Sequence, residues 1–262
     1  MTWIAALPMY NVSARLGQAY EALLVTLAEE AGQVVALEAP SDLPLFWRRR
    51  DLLLSQTCGY PYMTRLRGEV TLVATPCYDF AGCSGSDYSS VFVVREGADV
   101  DVLADAMGLV AAVNDLHSNS GMNVLRHAVA PLARGGRFFS KVVVSGSHAA
   151  SVRMVREGAA DIAAVDCVTW GYLAREDPEA VKGLKVLGYS VSSPGLPLIA
   201  GGGVEEELVL RMRDALLRPT SRLRGLMDVV SISAFEYRDD TDYARILAIE
   251  AEAGAAAYPV IT

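Results

Sequence analysis

The sequence lacks an excess of positive charge: 23 lysines and arginines stand against 31 aspartates and glutamates, a net charge of −8. Nucleic acid and anionic membrane surfaces both demand a basic footprint, so neither is an expected partner. A small anionic ligand remains admissible, because local donors can hold an anion inside an acidic protein. No run approaches the ~18 apolar residues of a membrane helix, so no membrane insertion is expected. There are only three histidines and four cysteines, Cys58, Cys77, Cys83 and Cys167. With no C-x-x-C pair and no histidine at ligand spacing, no metal site is expected. Cys77 and Cys83 flank a glycine-bearing turn, and both a disulfide and two buried thiols stay open for them. The chain also lacks a G-x-G-x-x-G phosphate loop and a G-x-S-x-G nucleophile elbow, so no cofactor is expected and no serine-nucleophile motif is present. Met1–Gly17 shows no basic n-region, long apolar core or cleavage site. Taken as it stands the chain is expected in the cytoplasm, and a removed or missed leader would place it in the periplasm.

What is present is an ordinary globular composition over 262 residues, enough for two lobes that each bury a core. Strand and helix signals alternate. Trp3–Leu7 reads as a first strand and Ser13–Ala31 as an amphipathic helix stopped by Gly32. Val34–Leu37 reads as a strand, and the stretch from Phe46 to Ser55 as a helix. Glu69–Ala74 reads as a strand stopped by Pro76. Further strands are expected at 90–95, 109–113, 141–145, 162–165, 186–189 and 198–199, with helices near 100–107, 121–132, 149–157, 205–217 and 241–253. This order predicts right-handed strand–helix–strand units, a largely parallel sheet and two α/β lobes. Crossovers near Tyr88–Arg95 and Leu187–Pro194 would form the hinge. Lobe one would comprise residues 1–88 plus 190–262, and lobe two residues 89–189.

Three strand ends carry polar loops that lead into helices. In Asn114–Gly121, the residues Ser118, Asn119 and Ser120 stand where a helix begins, and Gly121 permits close backbone approach. Unpartnered first-turn N–H groups with serine hydroxyls beside them make an anion cradle. Plain N-capping by Ser and Asn is the alternative. In Ser145–His148, a histidine opens the next helix and could donate to an oxyanion. Asp166 ends the Ile162–Val165 strand, on the edge where open α/β sheets take ligands. It could accept a proton from a partly protonated ligand, orient His148, or simply cap a helix. The three loops lie in one strand–helix–strand stretch and are expected to converge. Tyr10, Tyr60, Tyr62 and Tyr88 are candidate neutral donors from the other lobe or the hinge.

These residues resemble a known family. Ser118-Asn119-Ser120-Gly121 is similar to the S-x-S-G oxyanion loop of the phosphonate, phosphite and phosphate substrate-binding proteins of ABC transporters. Ser145-Gly146-Ser147-His148 through Ser151, then Gly158, then Ala160–Asp166, resembles that family's GSH…S…G-x-A-D-x-A-A-x-D signature. The resemblance implies the type II periplasmic-binding-protein fold, two lobes closing on a ligand, and an ABC permease as partner. It implies that Ser118, Asn119, Ser120 and His148 hold the phosphorus oxygens, with tyrosines contributing. Val168 and Leu196 match positions where members taking aminoalkylphosphonates carry acids, which disfavours an amino-bearing ligand. The chain is thus expected to bind rather than catalyse. The rival expectation is a cytoplasmic enzyme of the same fold in menaquinone or thiamine-pyrimidine precursor biosynthesis, using His148, Asp166 and Cys167. A cytoplasmic sensor is a third.

Overall fold

A computed structural model describes residues 2–262. The chain divides into two compact α/β units. Of the described residues, unit 1 holds 2–79, 83–87 and 194–243, and unit 2 holds 80–82, 88–193 and 244–262.

Unit 1 is built on a six-stranded sheet in the order Ile232–Glu236, Val70–Tyr78, Leu198–Gly201, Leu52–Gln56, Trp3–Ala6, Val35–Leu37. Only the last two pairings are parallel; the first three are antiparallel. The sheet is therefore mixed rather than largely parallel. The helix Ala14–Glu30, capped by the Ser13 hydroxyl, buries Leu16, Leu23, Leu24 and Leu27 and packs against helices Glu206–Leu217 and Ser221–Val229. Residues 46–55 are not one helix. A short helix, Leu43–Trp47, starts at Asp42, and the chain then enters the strand Leu52–Gln56, every residue of which is buried. Burying Leu52, Leu53 and Leu54 stabilises the unit by about 1.5–3 kcal/mol each, which favours a central strand over a surface helix. Pro76 does not stop its strand. Val70–Ala74 pair with Leu198–Gly201, while Thr75–Tyr78 pair with Ile232–Glu236, so the proline falls where the strand changes partner.

Unit 2 carries a five-stranded sheet in the order Leu184–Tyr189, Ser90–Arg95, Ile162–Asp166, Val110–Val113, Lys141–Val144. The last three run parallel and the first two pairings are antiparallel. Ser90–Arg95 and Leu184–Tyr189 are thus paired strands of this sheet, not crossovers. The chain instead passes between units at Asp87/Tyr88, Ser193/Pro194 and Tyr243/Ala244, apart from the short excursion Phe80–Gly82. The last of these passages corrects the expected boundary. Residues 244–262 leave lobe one because Ala253, Tyr258 and Ile261 are buried in the same core as Val113, Leu125, Phe138 and Ile162.

Candidate functional site

The parallel strands Ile162–Asp166, Val110–Val113 and Lys141–Val144 are direct neighbours in unit 2. Their carboxyl ends therefore open on one sheet edge, the usual ligand edge of such sheets. Each end carries one of the three polar loops.

The first loop turns into the helix Val124–Val129 through a wide turn, Asn119–Asn123, closed by a bond from the Asn123 N–H to the Ser118 carbonyl at 3.0 Å. Ser118 has extended backbone and its Oγ accepts the Gly121 N–H at 3.0 Å. Gly121 is required by space. A Cβ there would stand 1.7 Å from Asn114 Oδ1 and 2.8 Å from its Cγ. In the second loop Gly146, at φ +91°, turns the strand toward the next helix, and Ser147 Oγ accepts the Ala150 N–H at 3.1 Å. His148 becomes the first residue of the helix His148–Glu157. In the third, Asp166 caps the helix Cys167–Glu176. Its Oδ1 accepts the Thr169 N–H at 2.8 Å and its Oδ2 accepts the Thr169 hydroxyl at 2.6 Å.

The three loops meet at His148 Nε2, which lies 2.9 Å from Ser120 Oγ and 3.3 Å from Asp166 Oδ2. Ser120 and Asp166 are buried, and the His148 side chain is 11% exposed. Burial pushes the His148 pKa down, against the Asp166 carboxylate and the Ala164 backbone, which favour the charged ring. The geometry decides what this cluster can do. A serine nucleophile needs its carboxylate on the imidazole nitrogen opposite the hydroxyl, so that the ring can take the proton. Here serine and carboxylate crowd the same nitrogen, so Asp166 does not orient His148 to deprotonate Ser120. With its proton on Nε2, the ring is instead a hydrogen-bond donor with a carboxylate acceptor beside it.

Of the expected residues, Ser118, Asn119, Ser120, Gly121, His148, Asp166 and Tyr88 all belong to unit 2. The Asn119 side chain is fully buried and donates to Ser193 Oγ at 2.8 Å and to the Tyr88 hydroxyl at 3.4 Å. Tyr10, Tyr60 and Tyr62 lie in unit 1. The Tyr10 ring meets Tyr78 edge-on, 5.2 Å between centroids. Tyr60 is buried and its carbonyl accepts the Thr64 hydroxyl at 2.8 Å. Tyr62 spends its phenol proton on Asp240, a carboxylate that also takes the Arg67 guanidinium at 2.7 Å. The phenol pKa is accordingly raised, first by burial and then by that bond. Sequence reasoning missed Thr169, Ser193 and Asn123. Thr169, three residues after Asp166, sits at capping spacing and was findable; nothing around Ser193 singles it out. Among the described residues no cluster of His, Cys, Asp or Glu could hold a metal ion, and no helix is long and apolar enough to cross a membrane.

Two α/β units on mixed sheets, with a donor cluster at the strand ends of one, define a periplasmic-binding-protein-like protein of type II. A binding-protein component of an ABC phosphonate transporter from Pseudomonas aeruginosa matches with a TM-score of 0.82 at 19% identity, over 98% of this chain and 87% of that one. PhnD1 from Prochlorococcus marinus, solved with methylphosphonate, matches at 0.78 and 18% identity, over 97% and 98%. XAC2383 from Xanthomonas citri, solved with ATP, matches at 0.70 and 16%, over 98% of both chains. These likenesses fix the fold; the variety of ligands shows that the fold alone does not choose one. No curated protein matches by sequence. The model of the ABC-transporter phosphonate periplasmic substrate-binding proteins matches residues 4–243. The chain belongs to that family, whose role is ligand binding for a transporter rather than catalysis.

Proposed function

We propose that this protein binds a small, singly protonated phosphorus oxyanion, a phosphonate or phosphite, at the Ser118–Gly121, His148 and Asp166 cluster, and delivers it to an ABC permease. The observation that carries the reading is that Ser120 Oγ and Asp166 Oδ2 both lie within 3.3 Å of His148 Nε2. Donors alone would suit any anion. A carboxylate among them repels a fully ionised one and accepts a hydrogen bond from one that still carries a proton. Phosphonate, phosphite and phosphate each keep such a proton on part of their population near neutral pH, and sulfate does not.

The magnitudes are adequate. The hydroxyls of Ser118 and Ser120, His148 Nε2–H and the first-turn amides of Asn119 and Ser120 make five donors. At about 1.5–3 kcal/mol each for a charged acceptor they contribute roughly 8–15 kcal/mol gross. Association and ordering cost about 4–15 kcal/mol, which leaves room for micromolar affinity. Val168 is completely buried and apolar just after Asp166, so no acid stands there to meet an ammonium group. Methylphosphonate or phosphite is therefore preferred over aminoethylphosphonate. Calorimetric titration with phosphite, methylphosphonate, aminoethylphosphonate and sulfate tests this. Micromolar or tighter binding of the first two, with weaker or absent heat from the others, is expected; equal response to sulfate contradicts it.

A further inference from the structure

Asn119 stands in the middle of the anion loop, yet its side chain is turned into the protein. It is fully buried, as is Asn123 one turn on. An amide group has two N–H donors and one carbonyl oxygen. The Asn119 donors go to Ser193 Oγ (2.8 Å) and the Tyr88 hydroxyl (3.4 Å), and its Oδ1 accepts the Asn123 amide at 3.1 Å. Asn123 in turn donates to the Ile246 carbonyl at 3.1 Å and accepts from Arg126 Nη2 at 2.7 Å. The partners share one property. Tyr88 is the first residue of unit 2 after the passage from Asp87, and Ser193 is the last before the passage to Pro194. Ile246 lies just beyond the third passage, at Tyr243/Ala244.

We propose that Asn119 is a positioning residue: with Asn123 it fastens the anion loop to three of the segments by which the chain enters and leaves unit 2, those at Tyr88, Ser193 and Ile246. Its side chain does not touch the ligand. Both donors are committed, and its oxygen would repel an oxyanion. The neighbouring residue, Ser120, shares His148 Nε2, so any shift of the loop on binding is carried through Asn119 to Tyr88 and Ser193. The wide turn serves this geometry by setting Asn119 and Asn123 close enough to bond.

The ligand arm of the test rests on the oxyanion reading; the exchange arm does not. In the ligand-free full chain, hydrogen exchange followed by mass spectrometry compares wild type, Asn119→Ala and Ser193→Ala. Both variants are expected to speed exchange in peptides covering 86–92 and 188–195 and to leave the Val110–Val113 strand unchanged. Unchanged exchange at those passages overturns the proposal. Should Asn119→Ala not fold, Ser193→Ala decides alone. In titrations with phosphite or methylphosphonate, each variant is expected to bind about five- to tenfold more weakly. The double variant should bind no more weakly than the worse single one, because both remove the same link. Additive losses, or a Ser193→Ala variant with full affinity, overturn the proposal in favour of a direct ligand contact. If wild type binds neither probe, the oxyanion reading fails, and the exchange comparison still decides the role of Asn119.

Discussion

Asp166→Asn isolates the charge at the centre of the site. Asp166 accepts two bonds from Thr169 and lies 3.3 Å from His148 Nε2. Asparagine has nearly the same size and caps helices as well as aspartate does, so its oxygen keeps the Thr169 N–H bond. The Thr169 hydroxyl can rotate to accept from the new Nδ2. The helix Cys167–Glu176 therefore stays capped, and the stability cost is about 1 kcal/mol or less. Binding changes more. A protonated oxyanion loses a charged acceptor for its hydroxyl, worth about 1.5–3 kcal/mol, which is roughly 10- to 150-fold in affinity. A fully ionised anion loses a repulsive neighbour and gains a donor. Titration calorimetry with methylphosphonate on either side of its second ionisation, and with sulfate, reads both effects. Wild type should favour the protonated form; the variant should lose that preference and gain on sulfate. Equal changes for both anions, or none, would refute the assignment of Asp166 as proton acceptor.

Ser120→Ala and His148→Ala should each weaken oxyanion binding at least about tenfold, or 1.4 kcal/mol, in the same titration; unchanged affinity in both would remove the site. Because burial holds the His148 pKa below its ordinary 6.5, the unfolded chain takes up that proton first as pH falls. Folding stability from this group is complete above 6.5 and is lost as pH drops through the folded value. Denaturant melts across that window should show stability rising with pH in wild type and a flatter profile in His148→Gln. Gly171→Ala adds helix propensity worth about 1 kcal/mol, but its Cβ would stand 2.3 Å from the Phe80 ring, which packs on Tyr172 at 4.9 Å. A net loss of about 1–3 kcal/mol is expected in denaturant melts, turning into a gain when Phe80→Ala is made first.

The candidate loops were legible because each apolar run ends in residues with a specific job. Gly146 takes a left-handed turn, Asp166 and Ser118 cap helices, and Gly121 clears the space that Asn114 fills. Periodicity found the long helices Ala14–Glu30 and Glu206–Leu217 for the same reason: one face is buried. It failed at Leu52–Leu54, where three adjacent leucines carry no period and only sheet burial selects a strand. The helix Cys167–Glu176 was expected as the element Asp166 could cap, but without bounds, because it follows its strand with no intervening breaker; Asp166 is both strand end and cap. Ser221–Val229 and Ile232–Glu236 were missed because their buried residues are few and widely spaced. The inward turn of Asn119 and the role of Ser193 depend on contacts 74 residues apart along the chain, which no local pattern encodes. Likewise the transfer of residues 244–262 to unit 2 rests on where Tyr258 and Ile261 find a core.

The most direct test of the central claim is thermal unfolding of the full chain with phosphite, methylphosphonate, phosphate, aminoethylphosphonate, sulfate and simple carboxylates. A ligand that binds only the folded state adds about 2.7 kcal/mol at one hundred times its dissociation constant, a rise of roughly 5–10 °C for a chain of this size. The account predicts such a rise with methylphosphonate or phosphite and little change with sulfate or carboxylates. A flat response to every phosphorus oxyanion would contradict it.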